Sequence, residues 1–349
     1  MTTRTTIHAR PVQLRSRRRW AHAVALSLAA AAASGLAAVP AWAAGGYHVT
    51  ATITVGNYPE GVALNPAGTR AYVINNVPNT VSVINTATNH VRATISVCVG
   101  PAGVAVSPDG GHVYVACEFS NHMSVINTST NKVTAAIRVG SAPQGVAVSP
   151  EGARAYVTTW NPGRVAVINT ATDKVTATIR VGGDPLAVAV SPDGTRAYVT
   201  NDQPGGVLVI NTATDHVIAT IHTDSGPNAV AVSPDGSRVY VTNGQGTVSV
   251  IRAATNRVIA TAHLNPGLDG VTVSPDGTAA YVVNWNTNRL SVISTFTNRV
   301  TASIHVGSTP DGVAVGPDGT RIYVANQNFY IGSENMVGPP GSVSVVARP

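Results

Sequence analysis

Charge and aromatic rings are both scarce in this chain. Of its 349 residues, 11% are Asp, Glu, Lys or Arg and 5% are aromatic, against 44% hydrophobic residues. That balance is too apolar for general disorder, and the length suffices for a sizeable core. There are only two cysteines, Cys98 and Cys117, and they form no C-x-x-C pair and no haem-attachment sequence. No H-E-x-x-H, G-x-S-x-G or Walker sequence occurs either. The linear signatures of zinc peptidases, serine hydrolases and P-loop enzymes are thus missing. A site gathered from several distant segments stays open.

Acidic residues are absent from positions 1–43, where six of the 22 Lys and Arg lie, leaving 16 cations against 16 acids in the remainder. The formal +6 therefore belongs to the N-terminal segment. The rest of the chain is neutral and shows no whole-chain basic footprint for nucleic acid. An Arg-rich stretch to residue 20, an uncharged run from 21 to 39 and Ala41-Trp42-Ala43 have the form of a secretory signal peptide cut after Ala43. Pro40 and the small-x-small site end the apolar run, which argues against a membrane anchor. Ser16-Arg17-Arg18-Arg19-Trp20 is similar to a twin-arginine signal. Residues 44–349 are then expected to be exported, without a transmembrane segment, as an extracellular, cell-surface or periplasmic monomer.

What the chain has in abundance is repetition. A Ser-Pro-Asp-Gly turn or a close variant begins at residues 65, 107, 149, 191, 233, 274 and 316, a spacing of 42 residues with one interval of 41. Seven copies at one period mean a repeat architecture. In the fourth unit, Ala187-Val-Ala-Val190, Arg196-Ala-Tyr-Val-Thr200, Val207-Leu-Val-Ile210 and His216-Val-Ile-Ala-Thr-Ile221 read as four strands separated by turn residues. Both faces of such a sheet are apolar, so each must be covered on both sides. Radial stacking into an all-β, seven-bladed propeller of four-stranded antiparallel blades supplies that cover. His48-Val-Thr-Ala-Thr-Ile53 has the pattern of a fourth strand, and the last unit ends at its third, Ser342-Val-Ser-Val-Val346. The N-terminal strand is expected to complete the seventh blade in a 3+1 closure.

Tyr198-Val-Thr-Asn201, Tyr240-Val-Thr-Asn243 and the recurring Val-Ile-Asn-Thr-Ala-Thr resemble the YVTN family of β-propeller repeats, in phase over residues 47–349. Cys117 and Thr159 depart from the Asn position, and Ile251-Arg-Ala-Ala-Thr departs in the fifth unit. The resemblance implies a seven-bladed propeller in exported or cell-surface proteins, among them archaeal surface-layer proteins and a periplasmic protein associated with single-stranded DNA. It implies no shared catalytic residues.

Candidate site residues come from breaks in the repeat. The position before the repeat Gly or Ala reads Glu60, Ala102, Gln144, Leu186, Asn228, Asp269 and Asp311. Its three acids fall in the contiguous units 6, 7 and 1, near the channel mouth, where they are expected to influence one another or share a divalent cation such as calcium; exposed turns also simply accept acids. Asn228, Gln144 and Glu334 are candidates to complete such a shell. The loop from Asn326 to Val343 is eleven residues longer than its counterparts and carries Phe329, Tyr330 and Glu334. Trp285, Trp160 and Phe119 add aromatics on the same face. His222, His263 and His305 share one repeat position at the outer rim, too far apart for a common metal. Of Arg70, Arg154, Arg196, Arg238 and Arg321, which follow the turn, most are expected to pair with the turn acid of their own repeat. Cys98 and Cys117 reach one face close together and are expected to form a disulfide in an oxidising compartment, the alternative being two buried thiols.

These features favour a non-enzymatic binding or scaffold propeller for an extracellular ligand or protein. The alternatives are an enzyme of the lactonase or streptogramin-lyase kind with a cation at the channel mouth, and single-stranded DNA binding, which the neutral charge disfavours.

Overall fold

The computed structural model describes residues 46–203, 205–328 and 339–349. The segment expected to be a signal peptide, together with Phe329, Tyr330 and Glu334, lies outside the described residues. Among those described, twenty-eight strands, β1 to β28 in chain order, form seven four-stranded antiparallel sheets with no helix. Blade 1 is Asn57–Leu64, Arg70–Val77, Thr80–Asn85 and His90–Ser96, paired in that order, and blades 2 to 6 repeat it. The first strands of successive blades touch one another in turn, and Pro310–Val315 returns to Asn57–Leu64, so these strands line the axis of a closed ring. In blade 7 the order is β1 (His48–Thr54), β28 (Ser342–Ala347), β27 (Arg321–Asn326) and β26 (Pro310–Val315). Thr54 faces Ser342 and His48 faces Ala347. The ring is therefore closed by the chain's own N-terminal strand.

Alternation along each second strand explains why blades stack. Successive side chains point to opposite faces. In Ala71-Tyr72-Val73-Ile74, Tyr72 and Ile74 enter the cluster shared with blade 2, while Ala71 and Val73 enter the one shared with blade 7. Seven such clusters fill the seven gaps, each holding one tyrosine from the preceding blade: Tyr72, Tyr114, Tyr156, Tyr198, Tyr240, Tyr281 and Tyr323. All seven are almost fully buried. Burial pushes the Tyr114 phenol up to about 12. The outermost strands stay open to solvent and carry a register shift in every blade, as between Val83 and Ile84. Such bulges blunt edges that would otherwise pair with other chains.

The Pro-Asp-Gly turns are locally self-sufficient. Gly194 takes φ +72°, a region that favours glycine. The Ser191 hydroxyl donates to Asp193 Oδ1 at 2.5 Å, and the same carboxylate accepts the Thr195 backbone N–H at 3.0 Å. The Ser233 hydroxyl, then the Ser237 backbone and side chain, hold the equivalent Asp235 down to about 2.

Because these carboxylates are already satisfied, the arginines that follow the turns do not need them. Each reaches the next blade instead. Arg70 donates to the Thr128 carbonyl at 2.6 Å, Arg154 to Thr212 at 2.7 Å, Arg196 to Ala253 at 2.5 Å and Arg321 to Thr86 at 2.6 Å, and Arg238 does so to Thr295. The expected pairing within one repeat is thus replaced by a bridge between blades. Arg154 adds an ion pair with Asp215 at 3.5 Å, again on the next blade. Blade 6 has Ala279 at this position, and there blade 7 bridges back: Arg348 pairs with Asp276 at 2.8 Å and donates to the Thr278 hydroxyl at 2.9 Å. Burial opposes ionisation of Asp276, but Arg348, Ser274 and Thr278 together hold its carboxyl below the usual range.

A second stitch lies nearer the axis. In blades 3 to 5 the Thr before the Asn position accepts the N–H of its own first strand and donates to a carbonyl of the next. For Thr200 these are Ala187 N at 2.9 Å and Asn228 O at 2.8 Å. Thr158 and Thr242 do the same toward Leu186 and Asp269, at 2.7 and 2.6 Å. Thr200→Val keeps the shape but strips both groups of their partner, and an unsatisfied buried group costs about 1–3 kcal/mol. Urea unfolding of Thr200→Val is expected to show a loss in that range. An unchanged midpoint would mean that the stitch contributes nothing.

Candidate functional site

The face on which second-to-third and fourth-to-first loops meet is organised by the Asn position ending each second strand. The residue after it donates its N–H to the loop entering its own blade, as in Trp285 N to Gly267 O at 3.0 Å and Gln327 N to Thr309 O at 3.1 Å. The Asn side chain takes one of two directions, and the start of the third strand decides which. Where hydroxyls stand there, the amide turns along the blade. Asn75 donates to Thr80 Oγ1 and Ser82 Oγ, both at 3.0 Å, and Asn243 turns to Thr247 and Ser249. Asn326 donates to Ser344 Oγ at 3.0 Å. Where the strand opens without one, at Gly206 and Arg289, it latches the entering loop. Asn201 donates to Gly182 O at 2.8 Å, and Asn284 to Asn265 O at 2.7 Å.

Blade 2 makes this latch covalent. Cys117 stands at the Asn position, Cys98 at the position of Gly182 and Asn265, and the two form a disulfide with Cα atoms 5.8 Å apart. Among the described residues no cysteine is free.

Toward the axis lies the ring of break positions. Glu60, Asp269 and Asp311 sit half-buried on three adjacent inner strands. Their backbones are in close contact: a Cβ on Gly270 would lie 2.6 Å from Asp311 O, and one on Gly312 would lie 2.4 Å from Glu60 O. Only glycine allows that approach. Asn228 donates to Asp269 Oδ1 at 2.7 Å, and Gln327 to Asp311 Oδ2 at 2.6 Å. Two of the three carboxylates are thus capped by neutral amides. Gln144 is 6% exposed, and its Nε2 has no acceptor among the described residues. Trp285 is half-buried over Gly267, whose Cβ would come within 3.3 Å of its ring. Asn326 is fully buried with its amide nitrogen engaged inside blade 7. His222, His263 and His305 are exposed at the rim.

Among the described residues no three His, Cys, Asp or Glu side chains converge closely enough to hold one metal ion. Two cavities also occur away from this ring. One, about 200 Å³, is lined by Pro162, Gly163, Arg164, Arg180 and Gly182. The other, about 240 Å³, lies on the opposite face between blades 7 and 1, beside Asp318 and Arg321. Gln327 was not singled out from the sequence. Its signal was available: it occupies the variable position after the Asn, where Trp160, Asp202 and Trp285 stand in other units.

The fold and its repeats define a seven-bladed β-propeller repeat protein. A family model of YNCE-like β-propellers matches residues 60–154, blades 1 and 2 and the beginning of blade 3. No curated protein matches. Among solved structures, a chain of Kuenenia stuttgartiensis hydrazine synthase is similar with a TM-score of 0.74 and 24% identity, covering 84% of this chain and 96% of that chain. At that identity the likeness is one of fold.

The equivalence of disulfide and Asn latch can be tested by transplanting blade 4 into blade 2. Removing a native disulfide costs roughly 2–5 kcal/mol. Cys117→Ser is expected to fall in that range, and Cys98→Gly with Cys117→Asn to recover about 1 kcal/mol of it through the restored hydrogen bond. Thermal and urea melts of the two variants make the comparison. A double variant no more stable than Cys117→Ser would break the equivalence.

Proposed function

We propose that this chain is an exported, non-enzymatic binding or scaffold propeller that engages its ligand, a molecule or protein outside the cytoplasm, through the sector of blades 6, 7 and 1 on the loop-rich face. Export rests on the signal-like pattern of residues 1–43, with the Cys98–Cys117 bond compatible with it. The observation that carries the binding reading is what the irregular residues do. Most departures from the repeat are absorbed in holding blades together, as Cys117 and Arg348 are. Asp311 instead carries its carboxylate on the channel-mouth ring, steadied by Gln327 of its own blade, and beside it Asp269 accepts from Asn228 of blade 5. Ionised carboxylates offer only acceptor oxygens, so this sector suits a ligand presenting N–H or O–H groups. Trp285 and the long loop of blade 7, with Phe329, Tyr330 and Glu334, would extend the contact.

A divalent cation, calcium first because only oxygen ligands are offered, would have to draw Glu60, Asp269 and Asp311 together. Nucleic acid is disfavoured by the neutral charge of residues 44–349.

The test separates a binding sector from both a reaction centre and a structural one. Purified protein is expected to leave a lactone panel unhydrolysed. Asp269→Asn and Asp311→Asn are expected to change stability by less than about 1 kcal/mol, because the new amide oxygen still accepts from Asn228 and Gln327. Lactone turnover lost in Asp311→Asn would overturn the non-enzymatic reading. Marked destabilisation in both variants would make the carboxylates structural. A melting temperature that rises with calcium in the wild type and not in Asp311→Asn would add the cation to the site.

A further inference from the structure

Blade 3 places two arginines side by side. Arg164 opens its third strand, Arg180 ends its fourth, and they are direct cross-strand partners. At the same register blade 1 pairs Thr80 with Ser96, and blade 5 pairs Thr247 with His263. Like charges directly opposite destabilise a sheet. Neither guanidinium has a carboxylate within ion-pair reach among the described residues. Arg164 Nε is buried with no acceptor among them, an arrangement that costs stability unless a partner is supplied. Blade 6 also pairs two basic side chains, Arg289 with His305, but there Arg289 donates to the Ser303 carbonyl at 3.3 Å.

Both arginines of blade 3 face one cavity of about 200 Å³, whose other walls are Pro162, Gly163 and Gly182. A Cβ on Gly163 would lie 2.2 Å from Gly182 O, so these two backbones form a fixed wall. Gly182, at φ +68°, has open space where its Cβ would be, which leaves the cavity unobstructed on that side. The volume is below that of pockets for drug-sized molecules, and suits an ion or a very small organic acid.

We propose that this cavity binds a small doubly charged oxyanion, of the phosphate or short dicarboxylate class, between Arg164 and Arg180. Two guanidinium forks carry two positive charges and match two negatively charged oxygens in charge and planar geometry. The anion would relieve the repulsion between the strands. This site lies in blade 3, apart from the sector of blades 6, 7 and 1, and does not rest on that reading.

Isothermal titration of the full chain with inorganic phosphate, malonate and acetate tests it. Saturable one-site binding of phosphate or malonate is expected, with acetate weaker. Malonate without phosphate names the dicarboxylate as the source, phosphate without malonate the inorganic anion. Arg164→Gln and Arg180→Gln are each expected to weaken binding by about tenfold or more, the loss of a hydrogen bond to a charged group. In anion-free buffer, Arg180→Gln is expected to melt no lower than the wild type, because the repulsion is gone. The proposal is overturned if neither dianion binds saturably or if both variants keep wild-type affinity. It is likewise overturned if Arg180→Gln is destabilised without anion, which would make Arg180 a structural residue.

Discussion

Everything in this molecule follows from the requirement that a four-stranded sheet with two apolar faces be covered on both. A single blade leaves Tyr72 and Ile74 bare on one side and Ala71 and Val73 bare on the other. Each added blade covers one face and presents another. Only a closed ring ends the series without an exposed terminal face, and only a chain whose ends meet in one sheet closes it without a weak seam. The pairing of His48–Thr54 with Ser342–Ala347 is that junction. Burial of one tyrosine per gap gives all seven interfaces the same apolar anchor.

On that frame the chain varies its inter-blade fastenings while keeping their places. The arginine bridge runs from five blades to the next, and where Ala279 breaks the series Arg348 supplies a charge from the other side. The threonine stitch spans only the gaps after blades 3, 4 and 5; the equivalent residues elsewhere, Ile74, Ala116, Val283 and Ala325, are apolar and buried. The Asn latch becomes a disulfide at Cys98 and Cys117. Substitutions that look like functional departures in an aligned repeat are thus often structural exchanges. The departures proposed as sites, Glu60, Asp269 and Asp311 and the pair Arg164 and Arg180, are set against that background.

The strand order, the number of blades and the 3+1 closure were legible because they depend on period-2 alternation and on turn residues, both local in sequence. The destination of the arginines was not. Arg70 finds its acceptor 58 residues away at Thr128, on the next blade, and its own turn acid or amide is already engaged. Sequence proximity there suggested a pairing that hydrogen-bond satisfaction removes. The adjacency of Glu60, Asp269 and Asp311 could be inferred from the ring, but their partners could not, since Gln327 meets Asp311 only through the turn that follows Asn326. Arg164 and Arg180 escaped notice because each fits a rim pattern alone, and only the cross-strand register brings them together.

With the N-terminal strand closing the last blade, the ring stands or falls with that strand. The direct measurement is gel filtration with equilibrium urea unfolding of a chain beginning at Val55, compared with one beginning at Gly46. The shorter chain is expected to lose the single cooperative transition and to elute as oligomers or aggregates, because β28 becomes an unpaired edge. A monomer of the shorter chain that unfolds at the same urea concentration would contradict it.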